Sequence, residues 1–324
     1  MPITSVIKDT EALTLTVIAD FTVPVRRLWD AYADPRQLER FWGPPEWPAT
    51  FTRHDMAAGG RSHYSMTGPN GDQSHGYWEF VSVDEPTSFE IVDGFATAPG
   101  VPDTTMPTMR GRFDFEATDR GSRVTTVTTF ASLEQLAQLI EMGMEEGLLA
   151  AMGQMDTVLA DLTAFAADAG THAQLLDDTH VRVSRVIRGT VEQVWRAHHD
   201  PELMKRWLLG PEGWTMPVCE IAGQVGDTYR NVWQQIDGSE QFGFTGELLE
   251  HMPPTREVTT ERMIGTDGPS TTNELTLIPV EGGTLLSLLI TYPSIEVRDM
   301  ILATGMTDGM ETSYARLESD VLGV

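Results

Sequence analysis

Residues 29–47 read WDAYADPRQLERFWGPPEW, and residues 195–214 read WRAHHDPELMKRWLLGPEGW. Laid on each other, the two stretches put Trp29 on Trp195, Asp34-Pro35 on Asp200-Pro201, Arg40 on Arg206 and Trp47 on Trp214. The likeness continues in the same order. Ala58-Gly59-Gly60 falls on Val225-Gly226-Asp227, Glu85-Pro86-Thr87 on Pro253-Pro254-Thr255, and Gly143-Met144-Glu145-Glu146-Gly147 on Gly305-Met306-Thr307-Asp308-Gly309. The spacing stays between 162 and 168 residues throughout. Self-similarity in one order over a domain's length means one fold written twice. The 324 residues suit two domains of about 150 residues each. We place them at 1–168 and 177–324, joined by an Ala-, Asp- and Gly-rich stretch near 164–178.

Each half reads alike. A strand (13–21; 181–187) leads to a short helix, which starts at a capping-box pair, Thr190 and Gln193, in the second copy and near Pro24 in the first. Asp34-Pro35 and Asp200-Pro201 have the form of an N-cap followed by proline at the first helical position. The second short helix they start is expected to run to Gly43 or Gly210. Segments of strand composition follow, punctuated by turns such as Pro69-Asn70-Gly71-Asp72 and Asp237-Gly238-Ser239. Strands near 124–130 and 285–292 come last, and each half closes with a long helix near 133–165 and 295–322. Along these helices Ile140, Met144, Leu148, Met152, Met155, Leu159 and Leu162, and likewise Leu302, Met306, Met310, Tyr314, Leu317 and Val321, recur every three or four residues. Each apolar stripe needs an apolar partner, and the antiparallel sheet of its own half is the one available.

Bulk properties narrow the function. The formal charge of −26 repels phosphate backbones and anionic lipid, so neither nucleic acid nor a membrane is an expected partner. Cys219 is the only cysteine, which excludes an intrachain disulfide and a thiolate metal cluster. The N-terminus lacks the form of a signal peptide, and the apolar run 285–290 is too short to span a bilayer. A cytoplasmic location is expected. Only Lys8 and Lys205 are lysines, a bias that suits a GC-rich coding sequence.

Asp34-Pro-Arg-Gln-Leu-Glu-Arg-Phe-Trp-Gly-Pro, Ala58-Gly59-Gly60 before a strand, Glu85-Pro86 at a turn and Gly143-Met-Glu-Glu-Gly in a closing helix together resemble the family of homologues of the activator of heat-shock protein 90 ATPase. That family lies within the START-like, or polyketide-cyclase-like, helix-grip superfamily. The second half resembles it too, with Asp200-Pro-Glu-Leu-Met-Lys-Arg-Trp-Leu and Gly305-Met-Thr-Asp-Gly. The resemblance implies an α+β chain of two helix-grip domains. In each, a curved antiparallel sheet wraps a long C-terminal helix, two short helices follow the first strand, and a cavity lies between sheet and helix. It further implies binding of apolar small molecules, cyclase-type chemistry, or co-chaperone work. It supplies no invariant catalytic residue. The second copy departs from the pattern at Leu208, where an aromatic is usual, and at Asp227, which replaces a glycine.

Strand alternation selects the cavity residues. Tyr64 and Met66 share a face, as do Trp78 and Phe80, and the second copy offers Asn231 and Trp233, then Phe242 and Phe244. Met144, Leu148 and Met152 on one closing helix and Met306 and Met310 on the other would face them; methionine suits both irregular pockets and ordinary cores. His63 and His75 lie on adjacent predicted strands, where they can meet as an acid/base pair or stand as edge residues. Trp29, Phe41, Trp42, Trp195 and Trp207 read as packing residues. Gly143, Gly147, Gly305 and Gly309 fall inside the predicted helices, at about 1 kcal/mol each against alanine. Either the helix passes close to the sheet there or the missing side chains leave room; both readings place a site beside them.

No histidine pair has helical metal-ligand spacing, and no dinucleotide, Walker, nucleophile-elbow or zinc motif occurs. Neither metal nor cofactor is expected. The reading is a protein that encloses a small hydrophobic or aromatic ligand, with cyclase- or hydratase-like acid/base chemistry as its enzymatic extension. The alternative is a co-chaperone-like module with a chaperone as protein partner.

Overall fold

In β2 (Thr14–Phe21) every second residue, Leu15, Val17, Ala19 and Phe21, is buried, as a sheet packed on one face requires. The computed structural model describes residues 3–161, 170–210 and 212–324. The chain divides into two compact units, Met1–Thr163 and Ala164–Val324.

The first unit runs β1 (Ile3–Asp9), β2, α1 (Val25–Ala33), α2 (Pro35–Leu38), β3 (Ala49–His54), β4 (Arg61–Thr67), β5 (Gln73–Asp84), β6 (Ser88–Ala98), β7 (Val101–Pro102), β8 (Met109–Thr118), β9 (Gly121–Thr129), α3 (Leu133–Glu141) and α4 (Met144–Ala160). Its sheet is antiparallel in the order β1-β2-β9-β8-β6-β5-β4-β3, with β7 paired to β6. The second unit repeats this as β10 (His172–Leu175), β11 (His180–Ile187), α5 (Val191–His199), α6 (Pro201–Trp207), β12 (Trp214–Glu220), β13 (Thr228–Gln235), β14 (Gln241–Met252), β15 (Arg256–Met263), β16 (Thr271–Val280), β17 (Gly283–Thr291), α7 (Ile295–Leu302) and α8 (Met306–Arg316). A π-helical segment, Leu317–Leu322, follows. Its sheet order is β10-β11-β17-β16-β15-β14-β13-β12.

The caps are where the sequence puts them. Asp34 and Asp200 accept from the backbone N–H two residues on, each with proline next in the chain, and Thr190 and Gln193 form the full capping box. In the first unit α4 lies on the aromatic cluster of α1 and the sheet. Trp29, Tyr32, Phe89, Phe113 and Phe115 pack with ring centres 4.4–5.9 Å apart. Burial of each ring contributes on the order of 3 kcal/mol. Buried Arg27 ties α1 to both partners, donating to Gln37 Oε1 at 2.5 Å and to the Val158 carbonyl at 3.0 Å. In the second unit Trp207 stacks on Tyr314 at 5.7 Å, and Arg185 binds Glu311 at 3.0 Å and Glu318 at 3.3 Å, which seats the closing helix.

Several expectations need correction. Each unit opens with one more strand than the sequence suggested, so β10 occupies part of the expected linker; residues 164–169 of that stretch, with Leu162 and Phe165, lie outside the described residues. Each closing helix is broken. Gly143 (φ 85°) and Gly305 (φ 78°) adopt the left-handed conformation that glycine reaches without a Cβ clash, and they separate α3 from α4 and α7 from α8. Of these four glycines, Gly147 and Gly309 are helix-interior. Pro24 is the N-cap of α1 and not a first-turn residue. The second short helices stop at Leu38 and Trp207, before the expected glycines.

Candidate functional site

Between α4 and the inner face of the first sheet lies a cavity of about 360 Å³. Tyr64 and Met66 from β4, Ile91 and Phe95 from β6, Met109 and Phe113 from β8, and Leu139, Met144 and Leu148 from the closing helices wall it. Trp42 closes one side, its ring set edge-on to Trp78 at 4.6 Å. Gly147 faces the space: a Cβ there would meet nothing nearer than Pro44 Cγ at 3.8 Å. Of the two readings of this glycine, the missing side chain leaves room.

One carboxyl side chain lines this wall among the described residues. Asp93, sixth in β6, points inward beside Ile91. The Tyr64 hydroxyl lies 3.5 Å from its Oδ1, long for a hydrogen bond and easily displaced by a ligand group. Loss of bulk solvent raises the Asp93 pKa to about 7, against the smaller opposing effects of the Tyr64 hydroxyl and the Gly94 N–H. Burial, then the Asp93 charge, hold the Tyr64 phenol well above its ordinary value. The cavity therefore offers an apolar wall and a carboxyl that gains or loses a proton near neutrality.

Four of the expected residues, Tyr64, Met66, Met144 and Leu148, line this cavity. Trp78, Phe80 and Met152 are buried in the adjoining core instead. His63 and His75 do not line it. Inward residues of β4 and β5 alternate with them, so both histidines point to the opposite face, where His75 Nδ1 lies 2.6 Å from Ser65 Oγ. They pair with Tyr77 and Ser65, not with each other. Asp93 was missed, although Phe89, Ile91 and Asp93 alternate along one strand face and so mark an acid on an apolar wall. Trp42, read as packing, is a wall residue; Trp29 and Phe41 are core.

The second unit divides the same space differently. Trp233, Phe242, Phe244, Met306 and Met310, all expected, line an apolar cavity of about 210 Å³ with Trp207 and Tyr314. Asn231 lies in a separate polar cavity of about 170 Å³ with His198, Tyr229 and Glu261. Glu261, sixth in β15, stands where Asp93 stands in β6. Burial raises its pKa, and the Tyr229 hydroxyl donates to it at 3.2 Å. Burial also lowers the His198 pKa to about 4, which leaves the ring neutral at pH 7.

The family model described as activator of Hsp90 ATPase homolog 1-like protein matches residues 22–160 and again 188–321. The chain belongs to that family. Both of its units carry the family's START-like helix-grip fold, and proteins of this fold commonly bind hydrophobic ligands. Among solved structures, protein Ms6760 from Mycobacterium smegmatis is 48% identical over 49% of this chain and 98% of its own, with a TM-score of 0.47. A protein from Arthrobacter aurescens is 43% identical over 48% of this chain and 91% of its own, with a TM-score of 0.47. DynU16, of the dynemicin biosynthetic locus, is 15% identical over 95% of this chain and 99% of its own, with a TM-score of 0.35. No curated protein matches the chain. No helix among the described residues is long and apolar enough to cross a membrane.

Proposed function

We propose that the first unit of this family member binds a small hydrophobic or aromatic molecule carrying one polar group. The apolar wall takes the body of the ligand, and Asp93 with Tyr64 takes the polar group. The observation that carries this reading is the Asp93 carboxyl on a mainly apolar wall, where its pKa of about 7 makes it a donor or an acceptor at small cost. The same property favours a second reading, general acid/base chemistry of the cyclase or hydratase type on the bound molecule, since an acid that titrates near neutrality transfers protons most effectively.

A thermal-shift screen of the full chain against lipophiles and aromatic metabolites tests the binding, because a ligand selective for the folded state raises the melting temperature. The expected result is a rise with compounds that pair an apolar body with one hydroxyl, carbonyl or amine. No rise with any compound, together with a chaperone that co-purifies with the chain, overturns the reading in favour of a protein-interaction module.

A further inference from the structure

We propose that His199, His251 and Glu257 of the second unit form a site for one divalent first-row transition-metal ion. Their donor atoms lie within 4.8 Å of one another. Tetrahedral coordination at bond lengths of about 2.0–2.2 Å sets ligand atoms roughly 3.3 Å apart. Two of the separations bracket that value: His199 Nε2 is 2.9 Å, and His251 Nδ1 3.5 Å, from the same Glu257 Oε2.

The hydrogen bonding of His199 aims its second ring nitrogen at the carboxylate. Its Nδ1 lies 2.8 Å from the Trp195 carbonyl, an acceptor only, so Nδ1 carries the proton and Nε2 presents a lone pair. That lone pair faces a carboxylate oxygen at 2.9 Å. The contact is repulsive unless a proton or a metal ion lies between. His251 Nδ1 adds a third donor atom, buried and without a hydrogen-bond partner among the described residues. One proton can serve one of these two contacts; one metal ion serves all three donor atoms. Trp195 stacks on the His199 ring at 3.9 Å and fixes its direction. A register shift between Leu248 and Glu250 sets His251 directly opposite Glu257, on one face of the β14–β15 pair.

The first unit shows that the fold does not require these residues. His199 ends α5, His251 is next to last in β14, and Glu257 is second in β15. The same places in α1, β5 and β6 hold Ala33, Val83 and Phe89. Three apolar residues have thus become three ligating ones at converging positions. Two imidazoles and a carboxylate suit zinc or iron(II) and leave coordination positions open, as reactive sites do. Glu257 also lines the polar cavity, so the ion borders it. The chain positions 199, 251 and 257 are too far apart for a sequence motif to reveal them.

The test uses the full chain, purified without a histidine tag, stripped with chelator and titrated with cobalt(II) and then zinc(II). Visible absorbance of one cobalt per chain, displaced by zinc, is expected, with a zinc-dependent rise in melting temperature. His251→Val, which restores the residue type the first unit carries there, and Glu257→Gln should each weaken cobalt binding by about tenfold or more. His180→Ala, remote from the cluster, should leave it unchanged and controls for surface histidines. Circular dichroism shows that the variants fold; should His251→Val unfold, Glu257→Gln alone decides. Absence of cobalt absorbance, or the same affinity in wild type and Glu257→Gln, overturns the proposal and leaves a proton-linked histidine–carboxylate cluster on an acidic protein.

Discussion

The Tyr64 hydroxyl stands 3.5 Å from Asp93 Oδ1, and both groups face one cavity whose remaining wall is mainly apolar. The first unit thereby holds an acid whose protonation responds to pH in the neutral range and to whatever shares the cavity with it.

Asp93 should make stability fall as pH rises. Its pKa is about 7 in the fold, against about 3.9 in an unfolded chain, so the folded state binds the extra proton. The stability linked to that proton is complete below about pH 4 and is lost as pH rises through 7. Asp93→Asn removes the dependence. Three pH units correspond to about 4 kcal/mol, and water reaching the carboxyl through the cavity reduces this to about 2–3 kcal/mol. Urea unfolding should therefore show Asp93→Asn more stable than wild type at pH 8, with the gap closing towards pH 4. Equal curves at pH 8 contradict the assignment.

Tyr64→Phe should move the Asp93 titration upward. The hydroxyl favours the carboxylate form, so its loss leaves desolvation less opposed. Carboxyl carbon chemical shifts of labelled aspartate, followed against pH, measure this. A downward movement would mean that another group controls the acid.

Gly147→Leu should fill the cavity without harming the fold. The site is open to Pro44 Cγ at 3.8 Å, and leucine is the better helix former by about 0.8 kcal/mol. A melting temperature a few degrees higher and loss of ligand-induced shifts are expected. Retained shifts would place the ligand elsewhere.

Arg27→Ala should destabilise the first unit by about 2–4 kcal/mol, because the Val158 carbonyl and the Gln37 side chain lose their buried donor and a packing stem is removed. Denaturant titration reads the change; a loss under 1 kcal/mol would show that α4 is seated by its apolar stripe alone.

The architecture was legible because repetition, capping residues and strand alternation are local signals. Asp34-Pro35 and Thr190–Gln193 fix their helices without reference to the rest of the chain. The breaks at Gly143 and Gly305 were not legible. A glycine inside an apolar period of three to four looks the same whether the helix continues or turns, and only its φ distinguishes them. The cavity was half legible. Alternation puts Tyr64 and Met66 on the face that lines the cavity, yet the same rule cannot separate a wall residue from core, as Trp78 and Phe80 show. Asp93 was not legible because an acid in a strand is ordinarily solvent-facing, and only its place on the face of buried Phe89 and Ile91 sets it apart. The His63–His75 pairing failed on register: adjacent strands set Tyr77 opposite His63, and alternation turns both histidines outward.

The most direct measurement labels the methionine methyl groups and follows them by NMR as a lipophile from the screen is added. Met66, Met109 and Met144 line the first cavity, whereas Met252, Met263 and Met300 are exposed in the second unit. Saturable shifts at the first three, with the other three unmoved, are the predicted result. Shifts confined to the exposed methionines, or none at saturating ligand, would contradict a binding cavity in the first unit.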